Sequence, residues 1–119
     1  MQYEAEARGH KVICDQPVEA GGTDEGMTPT EFLSASLGTC AMFYAAYYLR
    51  LHHLPADGMT VQVEADKASK PARMGAFRLV IEVPGLTDEV HREGVRRAAE
   101  KCMVKNTLLM PPEMVLTVR

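Results

Sequence analysis

One long helix limits what this chain can fold into. Thr28, Pro29 and Glu31 form a helix-start signal: a cap candidate, a proline suited to the first turn, and an acid three residues after the cap. Leu33, Leu37, Cys40, Ala41, Tyr44, Tyr48 and Leu51 then recur at intervals of three and four, an apolar stripe of helical period. Pro55 disfavours helix at Leu54, so the segment should end near His53. A helix of about 24 residues is roughly 36 Å long. A compact domain of this chain's 119 residues has a radius of gyration of only about 13–14 Å. The helix therefore crosses the whole domain. Its other sides carry Phe32, Ala35, Met42, Ala46 and Leu49, so it needs cover nearly all round. One small sheet cannot provide that cover, and the expectation is a homodimer that encloses the helix.

The flanking segments read as short strands and a second helix. Tyr3 to Ile13 predicts two strands with a turn near Arg8-Gly9-His10, and Pro17 to Gly26, with Gly21-Gly22 and several acids, reads as a loop. Met59 to Asp66 alternates apolar and polar residues, as a strand with one wet face does. Phe77 to Val83 is its partner, and Lys67 to Gly75 extends the two into a long hairpin that Pro84-Gly85 ends. Thr87-Asp88-Glu89 opens a helix with Thr87 as cap and two acids at the positive end of the dipole. Val90, Val95, Ala98, Ala99 and Cys102 are expected to face inward from it, with Arg92, Arg96, Arg97 and Lys101 outward. Pro111-Pro112 stops the chain's helix, and Met114 to Val118 predicts a closing strand. The expected fold is α+β, in the order β-β-α-β-β-α-β, as one domain over residues 1–119.

Charge and cysteine usage exclude several classes. A net charge of −3, with Lys and Arg scattered among Asp and Glu, gives no electrostatic case for nucleic acid or an anionic membrane. Three cysteines are too few for a disulfide scaffold. The start lacks the basic and apolar segments of a secretory signal, and Arg50, His52 and His53 end the longest apolar stretch short of membrane-spanning length. The expected compartment is a reducing cytoplasm, where a disulfide is transient and chemical.

The cysteines carry the chemistry, if any residue does. Cys40 and Cys102 each lie among apolar neighbours in segments that read as helix. If the fold brings them together they form a redox pair. If it does not, they are two small core residues. Cys40 is about twelve residues into its helix, beyond reach of that helix's own dipole, and apolar burial raises a thiol pKa. A reactive Cys40 therefore needs a nearby cation, with Arg8, Arg50, Lys70 and Arg73 as candidates. Cys14 has no partner in view, and the four histidines lack zinc-site spacing. Glu31 has a structural explanation, since it can accept from the Thr28 backbone N–H.

Gly26-x-x-Pro29-x-Glu31-x-Leu33, then Leu37-Gly38-x-Cys40, and later Cys102-x-x-x-x-Thr107-Leu108, resemble the OsmC/Ohr family of osmotically inducible and organic hydroperoxide resistance proteins. The resemblance runs over most of the chain. It implies an intertwined homodimer with two active sites at the interface. It implies Cys40 as the peroxidatic thiol that attacks an organic hydroperoxide and becomes a sulfenic acid, and Cys102 as the thiol that condenses with it to a disulfide. A dithiol such as a lipoylated protein would reduce that disulfide, with no metal, haem or flavin. The family also uses an Arg of the first hairpin, matched by Arg8, and a Glu in the first turn of the cysteine helix. The peroxidase branches carry that acid ten residues before the cysteine, where this chain has Thr30. Glu31 stands nine before, as in an OsmC-like branch, and is turned about 100° round the helix. The alternative function is an OsmC-like module that binds a small ligand or partner with little peroxidase activity; a third is disulfide exchange on protein thiols. Met27, Phe32, Met42, Phe43 and Met103 are the expected apolar entrance, one that favours organic peroxides over hydrogen peroxide.

Overall fold

The computed structural model describes residues 1–119. Its elements are β1 (Tyr3–Ala7), β2 (His10–Cys14), α1 (Pro29–Leu51), β3 (Thr60–Ala68), β4 (Arg73–Glu82), α2 (Glu89–Ala99) and α3 (Met103–Leu109). The fold is α+β, with two separate antiparallel hairpins, β1–β2 and β3–β4.

The start signal of α1 works as the sequence predicts. The Glu31 backbone N–H donates to Thr28 Oγ1 (3.3 Å), and the Thr28 backbone N–H donates to Glu31 Oε1 (2.9 Å), so two otherwise unpaired amides are satisfied reciprocally. Leu37, Gly38, Ala41, Ala45 and Leu49 are buried, a stripe at the spacing of one helical turn. Leu51, expected in that stripe, is 58% exposed, because the last turn directs Leu49 rather than Leu51 toward α2. Phe43 and Tyr47 are exposed as well. Contrary to the sequence reading, α1 is long and apolar enough to cross a membrane on length and composition alone. Its buried face lies against β3 and α2, as a core helix's does.

The β3–β4 hairpin is read correctly from alternation. Val61 pairs with Ile81, Val63 with Leu79 and Ala65 with Phe77, and these pairs form its inward face. Thr60, Gln62, Glu64 and Asp66 point to solvent. Gly38 lets α1 approach this ribbon: a Cβ there would sit 2.9 Å from Val63 Cγ2.

The second helical region differs from expectation in three ways. Asp88, not Thr87, caps α2, its Oδ1 accepting from the Val90 N–H at 2.8 Å. Val90 is 76% exposed rather than inward, because α2 turns Val95 toward Ala45 and Leu49 and leaves its first turn in solvent. The helix also ends at Ala99 and restarts as α3 at Met103, so Cys102 is the cap of α3 instead of an interior helical residue.

The two extremities make little use of the body. All strand residues of β1–β2 except Cys14 are exposed. Arg8 and Gly9 form the two-residue turn with positive φ (53° and 84°), the geometry that matches strand twist. The loop after β2 is stapled by buried Asp15, which accepts from the backbone N–H groups of Gln16 (2.7 Å), Thr23 (3.2 Å) and Glu25 (3.1 Å) and from Thr23 Oγ1 (2.8 Å). The closing strand expected over 114–118 is not formed. Met114, Val115, Leu116 and Val118 are more than 80% exposed, since a strand needs a sheet edge to pair with and this tail meets none within the chain.

Candidate thiol site

The break between α2 and α3 builds the site. The first amides of any helix lack intrahelical acceptors, and in α3 they face sulfur. The Lys105 N–H donates to Cys102 Sγ (3.3 Å), so the thiol takes the place of a capping oxygen. The backbone N–H groups of Val104 and Met103 lie against the Cys40 sulfur, which arrives from α1. The Cys102 S–H in turn is oriented toward the Leu37 carbonyl at 4.0 Å. The fold therefore brings Cys40 and Cys102 together as neighbours, both as free thiols.

The two thiols are pushed apart in acidity. Burial pushes Cys40 up, but the Val104 N–H, the Cys102 thiol and the Met103 N–H outweigh it and leave Cys40 below the ordinary thiol value. Burial pushes Cys102 up, and the neighbouring Cys40 sulfur pushes it further. Of the two sulfurs, Cys40 is therefore the one whose thiolate form the surroundings favour. Cys40 is partly exposed and Cys102 is 1% exposed, which fits the same division.

Within one chain no cation takes part in the Cys40 shift; the Val104 and Met103 amides and the Cys102 side chain lower it instead. Arg8 stands exposed in the β1–β2 turn and is not brought to Cys40 within one chain. Arg50 lies over the Tyr47 ring at 5.4 Å, and Arg73 donates to the carbonyls of Ser69 and Pro71 in the β3–β4 turn. Glu31 is engaged in the capping box, and the Thr28 N–H holds its carboxyl below the usual range. Lys105 was missed by sequence reasoning. It lies three residues after Cys102, the spacing of a helix cap and its donor, and its ammonium pairs with Glu100.

An apolar groove of about 590 Å³ opens beside Cys102, between α1, β4, α2 and α3; Cys40 is not in its wall. Leu37, Ala41, Phe77, Leu79 and Leu108 line it, and Cys102 is part of its wall. Met27, Phe32, Met42, Phe43 and Met103, the residues expected at the entrance, do not line this groove; the Phe43 and Met103 side chains are exposed.

A capped α1 carrying one thiol and a second thiol at the head of α3 is the arrangement to compare with known proteins. The family described as OsmC-like protein matches residues 22–117. The chain belongs to the OsmC family. The structure of a Psychrobacter arcticus protein named for osmotic stress induction and a detoxification response superposes with a TM-score of 0.77 at 20% identity, covering 89% of this chain and 85% of that one. An OsmC-like protein from Mycoplasma pneumoniae gives 0.76 at 17% identity, over 91% and 79% of the two chains. An organic hydroperoxide resistance protein OsmC from Legionella pneumophila, also described as a predicted redox protein, gives 0.58 at 17% identity, over 91% and 87%. No curated protein sequence matches the chain. At these identities the superpositions establish the OsmC-like fold.

Proposed function

We propose that this OsmC-family chain is a cysteine-based peroxidase that reduces organic hydroperoxides to alcohols. The observation that carries the reading is the pair itself: a partly exposed Cys40, lowered in pKa by the α3 amides, beside a buried Cys102 that caps α3. The Cys40 thiolate attacks one peroxide oxygen. The S–O bond forms, the O–O bond breaks, and the departing alkoxide takes a proton to leave as alcohol. Cys102, as thiolate, then attacks the sulfenic sulfur; the S–S bond forms and the hydroxyl leaves as water after protonation. A dithiol, such as a lipoylated protein, returns two electrons and two protons and leaves as its own disulfide. The groove favours an apolar peroxide, because it would desolvate hydrogen peroxide without replacing its hydrogen bonds. The chemistry needs no metal or other cofactor.

The same reading includes a cytoplasmic homodimer. Only 8 of the 119 residues are buried. The radius of gyration is 17.1 Å, against about 13–14 Å for a compact chain of this length. A second copy would cover Phe43, Tyr47 and Leu51 on α1, give the 114–118 segment an edge to pair with, and carry Arg8 toward the other copy's thiols.

Cys40→Ser tests the proposal. Turnover of cumene hydroperoxide with a dithiol reductant should fall by at least about 10³-fold. The wild-type rate should rise with pH through a midpoint below the ordinary thiol value of about 8.5. Full turnover in the variant would refute the peroxidase. A wild type that binds apolar ligands but leaves the hydroperoxide intact would favour an OsmC-like binding protein, a reading Thr30 supports by standing where the peroxidase branches have an acid.

A further inference from the structure

Tyr48 and His91 make the one side-chain hydrogen bond between α1 and α2, with Tyr48 Oη 3.0 Å from His91 Nδ1. The Tyr48 ring also lies over His52, centroids 4.2 Å apart. Its hydroxyl end presses on α2 at Gly94, where a Cβ would overlap Tyr48 Oη and Cζ. A tyrosine seated on bare backbone and bonded to a histidine one turn earlier fixes how α2 lies along α1. The thiol chemistry uses none of these groups.

Their place along the helices gives them a consequence for the thiols. α1 and α2 run antiparallel, since Ala45 and Leu49 meet Val95 while the Leu37 carbonyl is near Cys102. Tyr48 lies eight residues after Cys40 and Gly94 eight residues before Cys102. Most of both spans is regular helix, so the contact at one end sets the register at the other. A slip of one residue moves Cys102 by about 1.5 Å along α1, while a disulfide tolerates only about 3.5–4.5 Å between Cβ atoms.

We propose that Tyr48, His91 and Gly94 form a positioning clamp that sets Cys102 opposite Cys40 for disulfide closure. The clamp rests on the reading of these cysteines as a redox pair. It touches neither substrate nor sulfur, and acts only through the register of α2.

The test measures the Cys40–Cys102 disulfide equilibrium in glutathione redox buffers, which requires no peroxidase activity. Oxidised glutathione accepts the two electrons and leaves as two thiols. Tyr48→Phe keeps the ring and loses the bond. It should make the disulfide about tenfold less stable, a potential some 30 mV more oxidising. His91→Leu should match it, whereas His91→Asn, which keeps an acceptor, should stay near wild type. Gly94→Ala should have the larger effect; Tyr48→Phe decides if that variant fails to fold. Wild-type potentials in folded Tyr48→Phe and His91→Leu would overturn the clamp alone. A wild type that forms no Cys40–Cys102 disulfide at any buffer ratio would overturn the redox pair and the clamp with it.

Discussion

Leu49 and Leu116 are the same side chain under opposite conditions. Leu49 is fully buried between α1 and α2, beside Val95, whereas Leu116 is 88% exposed in the C-terminal tail. The contrast holds for the regions around them. The helices and the β3–β4 ribbon bury their facing apolar residues and bring both thiols and their amide donors together within one chain. The β1–β2 hairpin and the tail carry apolar alternation with nothing to bury it against. Apolar surface left in water forgoes about 25 cal/mol per Å², so these extremities are where the proposed second copy would add most. The body therefore holds both thiols, and in the proposed homodimer the extremities, including Arg8, would meet the second copy.

The sharpest way to break this contrast is to shorten both leucines. Leu49→Ala should cost about 2–5 kcal/mol, the usual range for a fully buried leucine, in denaturant unfolding. Leu116→Ser should be silent in an isolated chain. In the homodimer it should cost about 1–3 kcal/mol, with a loss that grows on dilution because association contributes to stability. A Leu116→Ser midpoint equal to wild type at every protein concentration would remove the tail from any interface.

Arg8 sharpens the same contrast at the chemical level. Arg8→Ala should lower hydroperoxide turnover about tenfold, equivalent to ~1.4 kcal/mol of transition-state stabilisation. It should also raise the Cys40 pKa, and only at concentrations where the dimer persists. A Cys40 titration unchanged by Arg8→Ala would mean that the α3 amides alone set its acidity.

What could be read from sequence follows from how local each cause is. The α1 start was legible because cap, proline and acid act within one turn. The β3–β4 register was legible because alternation fixes which face is buried. The break before α3 was not legible, since Glu100, Lys101 and Cys102 include neither proline nor glycine; the helix stops because Cys102 is drawn to Leu37 and Cys40 and its sulfur accepts from Lys105. The inward face of α2 was misjudged at Val90 because the contact with α1 sets that face, not the average hydrophobicity of the helix. The contribution of the amides to the Cys40 site was not legible for a similar reason: they come from residues more than sixty positions away from Cys40.

Asp15 offers a weaker test, confined to the join between hairpin and body. The N–H groups of Glu25, Gln16 and Thr23 and the Thr23 hydroxyl hold its carboxyl far below the usual range. A carboxyl whose folded pKa is depressed stabilises the fold fully above its unfolded value of about 3.9, and loses that contribution as pH falls toward the folded value. Wild type should therefore be more stable than Asp15→Asn at neutral pH, with the gap narrowing only below about pH 4. Thermal unfolding at a series of pH values checks this. A gap that is constant with pH would mean that the loss is one of packing, not of charge.

Glu31 should show the smallest effect, and its smallness is informative. Its carboxylate is engaged with the Thr28 N–H, and Glu31 stands nine residues before Cys40 on α1, about two and a half helical turns away. Glutamine serves the same capping box, so Glu31→Gln should keep both helix content and the Cys40 titration. If the family acid acts on the substrate at this position, however, Glu31→Gln removes a charge that the cap does not need, and turnover falls while stability stays. Steady-state kinetics beside a melting curve separates the two. Unchanged kinetics would assign Glu31 to the helix start and leave the Cys40 site to the α3 amides and Arg8.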